Sequence, residues 1–173
     1  MNGSNATHSI LKLLVTIIVA ALASSTLIAP AEAHERSNAF AQRKHIKKRG
    51  KSAVGAPYSY GGSSRGGFDC SGFTRWTFGE HGQNLPRTSL DQFGLAKKTG
   101  YKRIWKRKNL KVGDLVFHKT TSARVGHAGV FVGRGRFVSA TSSEGVQVRS
   151  LHDPYYWGSR WVGAVRTPST INK

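Results

Sequence analysis

Cys70 is the only cysteine in a chain of 173 residues, and a thiol becomes a nucleophile only when something takes its proton. A base suited to that task is present much later in the sequence, in Gly126-His127-Ala128-Gly129-Val130-Phe131-Val132-Gly133. A cysteine and a histidine distant in sequence but adjacent in space form the arrangement that papain-like enzymes use. The imidazole accepts the thiol proton and later returns it to the leaving amine. Each residue also has a plainer reading: Cys70 as a small buried apolar side chain, and His127 as a satisfied histidine on a strand. The carboxylates beyond the N-terminal region, Glu35, Asp69, Glu80, Asp91, Asp114, Glu144 and Asp153, are scattered and suggest no acid pair for glycoside hydrolysis. With one cysteine and no two histidines at ligand spacing, neither a zinc site nor any other metal or cofactor is expected. Gly133-Arg134-Gly135 reads as a hairpin turn rather than a phosphate cradle.

The elements that must position this pair follow from local pattern. Asp69 is a good N-cap, Phe73 and Trp76 fall on one helical face, and Gly79 and Gly82 are plausible terminators. A helix over Ser71 to Phe78 is therefore expected, with Cys70 in its first turn. There the unpaired backbone N–H groups and the helix dipole favour a thiolate. The glycines ahead of it, Gly61, Gly62, Gly66 and Gly67, are read as letting the backbone approach a substrate. Thr88 or Ser89 caps a second short helix through Leu90, Phe93 and Leu95. Strands follow at Leu115-Val116-Phe117, at His127 to Val132, at Arg136 to Ala140, around Val146 and Val148, and from Trp161 to Val165. Alternation puts His127, Gly129 and Phe131 on one face of their strand and Ala128, Val130 and Val132 on the other; Gly129 is read as leaving room for substrate or for the cysteine helix. Phe137 and Ser139 share a face of the next strand. Helices first and an antiparallel meander afterwards make an α+β layout.

The bulk properties bound the rest. The hydrophobic content of 38%, with four Trp and eight Phe, supports a real core. A formal charge of +19 predicts attraction to polyanions without choosing among nucleic acid, anionic lipid and acidic envelope polymers. Lys12, the apolar run Leu13 to Ala23 and Ala31-Glu32-Ala33 read as a signal peptide over residues 1–33, too short in its apolar part for a membrane span. No cysteine lies near that cleavage site to carry a lipid, so no membrane anchor is expected after cleavage. Residues 34–51 read as a mobile basic arm whose later part forms a short helix ending near Gly50 or Gly55. Residues 52–167 form the folded domain, with a tail at 168–173. Export gives the lone cysteine a further reason to be functional, because an unpaired thiol outside the cytosol is open to oxidation.

Taken in order, Pro57-Tyr58-x-x-Gly61-Gly62, Phe68-Asp69-Cys70-Ser71-Gly72-Phe73, Leu85-Pro86-Arg87, Val112-Gly113-Asp114-Leu115-Val116-Phe117 and the His127 segment resemble the NlpC-type family of bacterial cell-wall peptidases. The likeness extends to Asp153-Pro154-Tyr155-Tyr156-Trp157 and Gly163-Ala164-Val165-Arg166, covering roughly Gly55 to Arg166. The resemblance implies a papain-like α+β fold in which the nucleophile helix packs on an antiparallel sheet. It also implies hydrolysis of peptidoglycan stem peptides, at D-glutamyl–diaminopimelate or cross-link bonds. By resemblance Cys70 is the nucleophile, His127 the base and Tyr58 an active-site residue, while Asp69 and Ser71 line the substrate groove. Many relatives carry a second histidine or a comparable polar residue on the following strand to orient the base, and that place here holds Ser139. Three arrangements remain open: Ser139 orients His127, directly or through a water; another group such as His152 or a backbone carbonyl does so; or the enzyme is slow or inactive.

The leading expectation is thus a secreted, monomeric cysteine endopeptidase of the cell wall or periplasm, acting on peptidoglycan stem peptides and drawn to anionic envelope polymers. The alternative is a non-catalytic or weakly active envelope-binding protein that keeps the fold. A secreted nucleic-acid binder is a third possibility that the charge allows but no reading motif supports.

Overall fold

The computed structural model describes residues 30–168. The expected signal peptide, apart from Pro30–Ala33, and the tail beyond Pro168 lie outside the described residues. The chain divides into two compact units, Met1–Glu35 and Arg36–Lys173, and the sheet with the helices packed on it belongs to the second. Among the described residues no helix is long and apolar enough to cross a membrane.

Helix α1 (Pro30–Ser52) is followed by a small hairpin of β1 (Ser63–Ser64) and β2 (Gly67–Phe68). Helix α2 (Cys70–Gly79) and helix α3 (Ser89–Gly94) come next. The remaining strands are β3 (Lys102–Ile104), β4 (Leu115–His118), β5 (His127–Gly133), β6 (Arg136–Thr141), β7 (Gly145–Ser150) and β8 (Trp161–Arg166). They form one six-stranded antiparallel sheet in the order β3-β8-β4-β5-β6-β7. The α+β architecture expected from the sequence is the observed one, with the cysteine helix laid on the sheet.

The alternation read in β5 sorts its residues onto two apolar layers. Ala128, Val130 and Val132 join Phe68, Phe73, Phe78, Phe117 and Val138 in the layer beneath α2. Phe131 joins Val116, Phe137, Leu151 and Trp157 in a second layer on the opposite side. Because both faces are covered, β5 is buried along nearly its whole length.

The basic segment 34–51 differs from expectation. It is part of a continuous 23-residue helix rather than a mobile arm with a short helical end. Gln42, Ile46 and Gly50, spaced four apart, form a buried stripe. Arg49 donates to the Trp76 carbonyl at 2.8 Å, lies 3.8 Å over the Trp76 ring and pairs with Glu80. Arg43 reaches the buried Asp114 carboxylate at 3.3 Å. The helix is fixed by these anchors; its own apolar surface is small.

Candidate active site

Asp69 is the N-cap of α2, with extended backbone angles, and its Oδ1 accepts the Gly72 N–H at 2.6 Å. This cap puts Cys70 in the first helical position, as the sequence predicts. Of the glycines ahead of it, Gly62 and Gly67 are required by the packing of the chain itself. A Cβ on Gly72 would collide with the Gly62 carbonyl, and one on Gly62 with the Gly67 backbone. They let the loop fold tightly against the helix start, where Asp69 N–H donates to the Gly62 carbonyl at 3.0 Å. What approaches closely there is the chain itself.

Pro57 and Ser59 exchange backbone hydrogen bonds with Phe68, at 3.0 Å each, which seats Tyr58 beside the cysteine. Cys70, Tyr58 and His127 line one open cleft of about 820 Å³, walled by the β4–β5 loop, the β6–β7 hairpin and the turn carrying Tyr156 and Trp157. The backbone N–H of Ala128, next in the chain to His127, is near enough to Cys70 to favour its thiolate form. The start of β5 therefore meets the tip of α2, and the tertiary structure brings the thiol, the phenol and the imidazole together.

Electrostatically the site is not a resting ion pair. Burial pushes the Cys70 thiol above its ordinary value, and the Asp69 carboxylate adds to this; N–H groups of Ala128, Ser71 and Cys70 work against it without prevailing. Burial, with the Arg149 guanidinium nearby, lowers His127 to about 4. Near neutral pH the pair is thiol and neutral imidazole, contrary to the thiolate expected from the helix dipole alone: desolvation outweighs the dipole here. Tyr58 is pushed up by burial and by Cys70 and Asp69, so it remains a phenol able to donate.

Asp69 and Ser71, expected to line the substrate groove, are buried and do not line the cleft. They belong to a hydrogen-bonded set closed by Arg87, which donates to Asp69 Oδ1 at 3.0 Å and to Ser71 Oγ at 2.9 Å and forms an ion pair with Asp69 Oδ2. The Gly61 N–H adds a bond to Oδ2 at 3.1 Å. Arg87, together with the cap bond from Gly72, holds this carboxylate below its usual range against the opposing effect of burial. The role of these residues is to build the helix start that carries Cys70.

Ser139 lies on β6 with no exposed surface, and its Oγ has no hydrogen-bond partner among the described residues. No direct Ser139–His127 hydrogen bond is made in the structure. Gly129, expected to leave room for substrate or for the cysteine helix, makes room for β6: a Cβ there would strike the Phe137 ring, the Val138 carbonyl and Ser139 Cβ. His152 is exposed and packs against Gly135 in the β5–β6 turn, at the opposite end of β5 from His127.

Two residues of the site were not singled out from the sequence. His118, at the end of β4, is fully buried and pairs in register with His127 across the ladder. Trp157 covers both imidazoles, with its ring centroid 4.9 Å from that of His127 and 5.1 Å from that of His118. Asp153 holds the turn that carries it, accepting N–H bonds from Tyr156 at 2.9 Å and Trp157 at 3.0 Å. The sequence signal for His118 was a lone polar residue closing the apolar run Leu115-Val116-Phe117.

The sequence profile of the NlpC/P60 family matches residues 55–166. The chain belongs to the NlpC/P60 family. Among NlpC/P60 relatives, the murein DD-endopeptidase MepS/murein LD-carboxypeptidase of Escherichia coli K12 is 39% identical over 116 residues, covering 66% of this chain and 57% of that protein. A probable endopeptidase NlpC homolog of Haemophilus influenzae is 34% identical over 132 residues, covering 76% of this chain and 66% of the relative. The chain thus spans less than two thirds of the length of the Escherichia coli protein. The fold agrees with the crystal structure of the NlpC/p60 domain of the peptidoglycan hydrolase SagA, with a TM-score of 0.60 at 27% identity. That comparison covers 72% of this chain and 98% of the SagA domain.

Proposed function

We propose that the protein is an exported cysteine peptidase that hydrolyses peptide bonds in peptidoglycan stem peptides, with Cys70 as nucleophile and His127 as general base. The observation that carries this reading is the shared cleft. The Cys70 sulfur sits at a helix start, with His127 and the Tyr58 phenol lining the same cleft. Names of relatives support the substrate class: murein DD-endopeptidases in Escherichia coli and a probable peptidoglycan endopeptidase in Bacillus subtilis. The bond cut is the D-glutamyl–diaminopimelate linkage or the cross-link; relatives are named as DL- and DD-endopeptidases. The formal charge of +19 fits work at an anionic envelope.

The chemistry follows from the resting charge state. His127 Nε2 is buried, which leaves Nδ1 for the cleft side. As the sulfur attacks the scissile carbonyl carbon, the thiol proton passes to Nδ1, so charge is created only along the reaction coordinate. The oxyanion that forms lies near the first N–H groups of α2 and the Tyr58 hydroxyl, donors fixed before the reaction begins. Collapse breaks the C–N bond and Nδ1 delivers the proton to the leaving amine. Water, deprotonated by the same nitrogen, then attacks the thioester and releases the acid and free Cys70.

Incubating purified muropeptides with the protein and reading the products by mass spectrometry tests the proposal and identifies the bond. Cleavage is expected with wild type and none with Cys70→Ala; a variant that still cleaves removes Cys70 from the reaction. The non-catalytic alternative is favoured by one observation, the absence of a hydrogen bond from Ser139 to His127. It predicts muropeptide binding without turnover. Thiol labelling is a poor discriminator, because burial keeps Cys70 protonated near neutral pH on either reading.

A further inference from the structure

Four buried side-chain atoms around the base have no hydrogen-bond partner among the described residues: His127 Nε2, Ser139 Oγ, and both His118 nitrogens. A buried polar group left unpaired costs on the order of 1–3 kcal/mol, so a cluster of them is an expensive feature to keep. His118 has no exposed surface and sits among apolar rings. Phe137 stacks on it at 4.9 Å, and Trp157 and Trp161 meet it edge-on at 5.1 and 6.0 Å. A phenylalanine would suit that cage better on packing grounds alone. The presence of an imidazole calls for a use, and the neighbour it pairs with in register is His127, with ring centroids 6.3 Å apart.

We infer that His118 is the positioning residue for the catalytic base, taking from the neighbouring strand β4 the role that Ser139 on β6 does not fill by a direct bond. The inference rests on the proposed roles of Cys70 and His127. For Nδ1 of His127 to accept the thiol proton, its one hydrogen must reside on Nε2, and that buried N–H needs an acceptor. A neutral imidazole at His118 offers one lone pair for it, leaving the other His118 nitrogen to donate. With the ring centroids 6.3 Å apart, one bridging water completes the bond. When the thiol proton arrives on Nδ1, the Nε2–H stays in place and the His118 lone pair stabilises the imidazolium. No other proton moves.

The surroundings keep His118 in the neutral form this requires. Burial lowers it to about 3, assisted by the charges of His127 and of Arg107. Arg107, held by the Gly158 carbonyl, faces His118, and Arg149 on β7 faces His127. Both are cations that discourage a second positive charge. Trp157 closes the cluster from above, and no carboxylate is hydrogen-bonded to either ring among the described residues. A lone pair on a neutral neighbour is thus the orienting acceptor that this site can supply.

The test compares His118→Phe, His118→Gln and the double variant His118→Phe/Ser139→His with wild type in muropeptide cleavage, alongside Cys70→Ala. His118→Phe is expected to lower kcat roughly 10- to 100-fold with little change in KM. Thermal melting should show a Tm no lower than wild type, because Phe fills the cage. His118→Gln, which keeps an acceptor, and Ser139→His, which supplies one from β6, should each recover part of the loss. Nitrogen-15 NMR of the wild-type imidazoles should find His127 in the Nε2–H tautomer, and His118→Phe should shift it toward Nδ1–H. Wild-type kcat in His118→Phe, or an Nδ1–H His127 in the unmutated protein, overturns the inference. Activity surviving in Cys70→Ala would instead overturn the underlying reading of the nucleophile. If His118→Phe does not fold, the wild-type tautomer and the His118→Gln kinetics still decide.

Discussion

Asp114 immediately precedes the short strand β4 and His118 ends it, both with no exposed surface, and their surroundings differ sharply. Asp114 is saturated. Arg166 donates to both carboxylate oxygens, at 2.9 and 2.8 Å, Lys111 N–H adds a bond at 2.8 Å, and Arg43 reaches across from α1 at 3.3 Å. His118 has aromatic rings around it and no hydrogen bond to either nitrogen among the described residues. The first set ties α1 and β8 to the start of β4 and does nothing else. The second surrounds the proposed base, so its unmet bonding capacity is free to serve the reaction. Buried polarity that is fully paired serves architecture, and buried polarity left open is the place to look for chemistry.

Removing the paired charge should have the largest effect. Asp114→Ala leaves Arg43 and Arg166 without their partner and should cost about 3–5 kcal/mol, read as a lowered urea midpoint with α1 the first element to lose amide protection. Acid attacks the open set next. His127 is lowered to about 4 and His118 to about 3 by burial, while an unfolded histidine titrates near 6.5. Below about pH 6.5 the unfolded chain binds protons that the folded chain refuses, so stability is intact above that pH and declines as the pH falls toward about 4. For His127 alone the loss is on the order of 3 kcal/mol, and urea melts across that range should show a shallower decline for His118→Phe. If the decline were equally steep in that variant, His118 would not contribute to it.

Gly129→Ala tests the packing between the two strands that frame the base. The added Cβ meets backbone and side chain of β6, so a loss of about 1–3 kcal/mol is expected by chemical denaturation, with turnover falling further because the strand that carries His127 is displaced. The smallest effect belongs to Arg87→Ala. Asp69 keeps its Gly72, Ser71 and Gly61 bonds, and the arginine is partly exposed, so about 1 kcal/mol is expected in thermal melts. A loss as large as that of Asp114→Ala would mean that the helix start is fixed by the ion pair rather than by the cap.

Local pattern made much of this molecule legible. The Asp69 cap, the two-faced β5, the Gly133-Arg134-Gly135 turn and the Thr88 cap of α3 are set by residues within a few positions of one another, and each is where the sequence places it. The α1 helix was missed because its buried stripe holds a single large apolar residue, Ile46. Its anchors Trp76, Glu80 and Asp114 are remote in the chain.

Sequence alone determined the position of Cys70 at a helix start, that of His127 at a strand start and the order of elements, because caps, glycine turns and alternation are short-range steric and hydrogen-bonding effects. The tertiary structure decided the charge state of the pair and the company each residue keeps. Desolvation depends on everything packed around a group, so only the assembled sheet could reveal a neutral thiol and imidazole. The same assembly turned Asp69 and Ser71 inward and set His118 opposite His127. A ladder register between strands with a long loop between them is fixed by the whole core, which no local stretch of sequence contains.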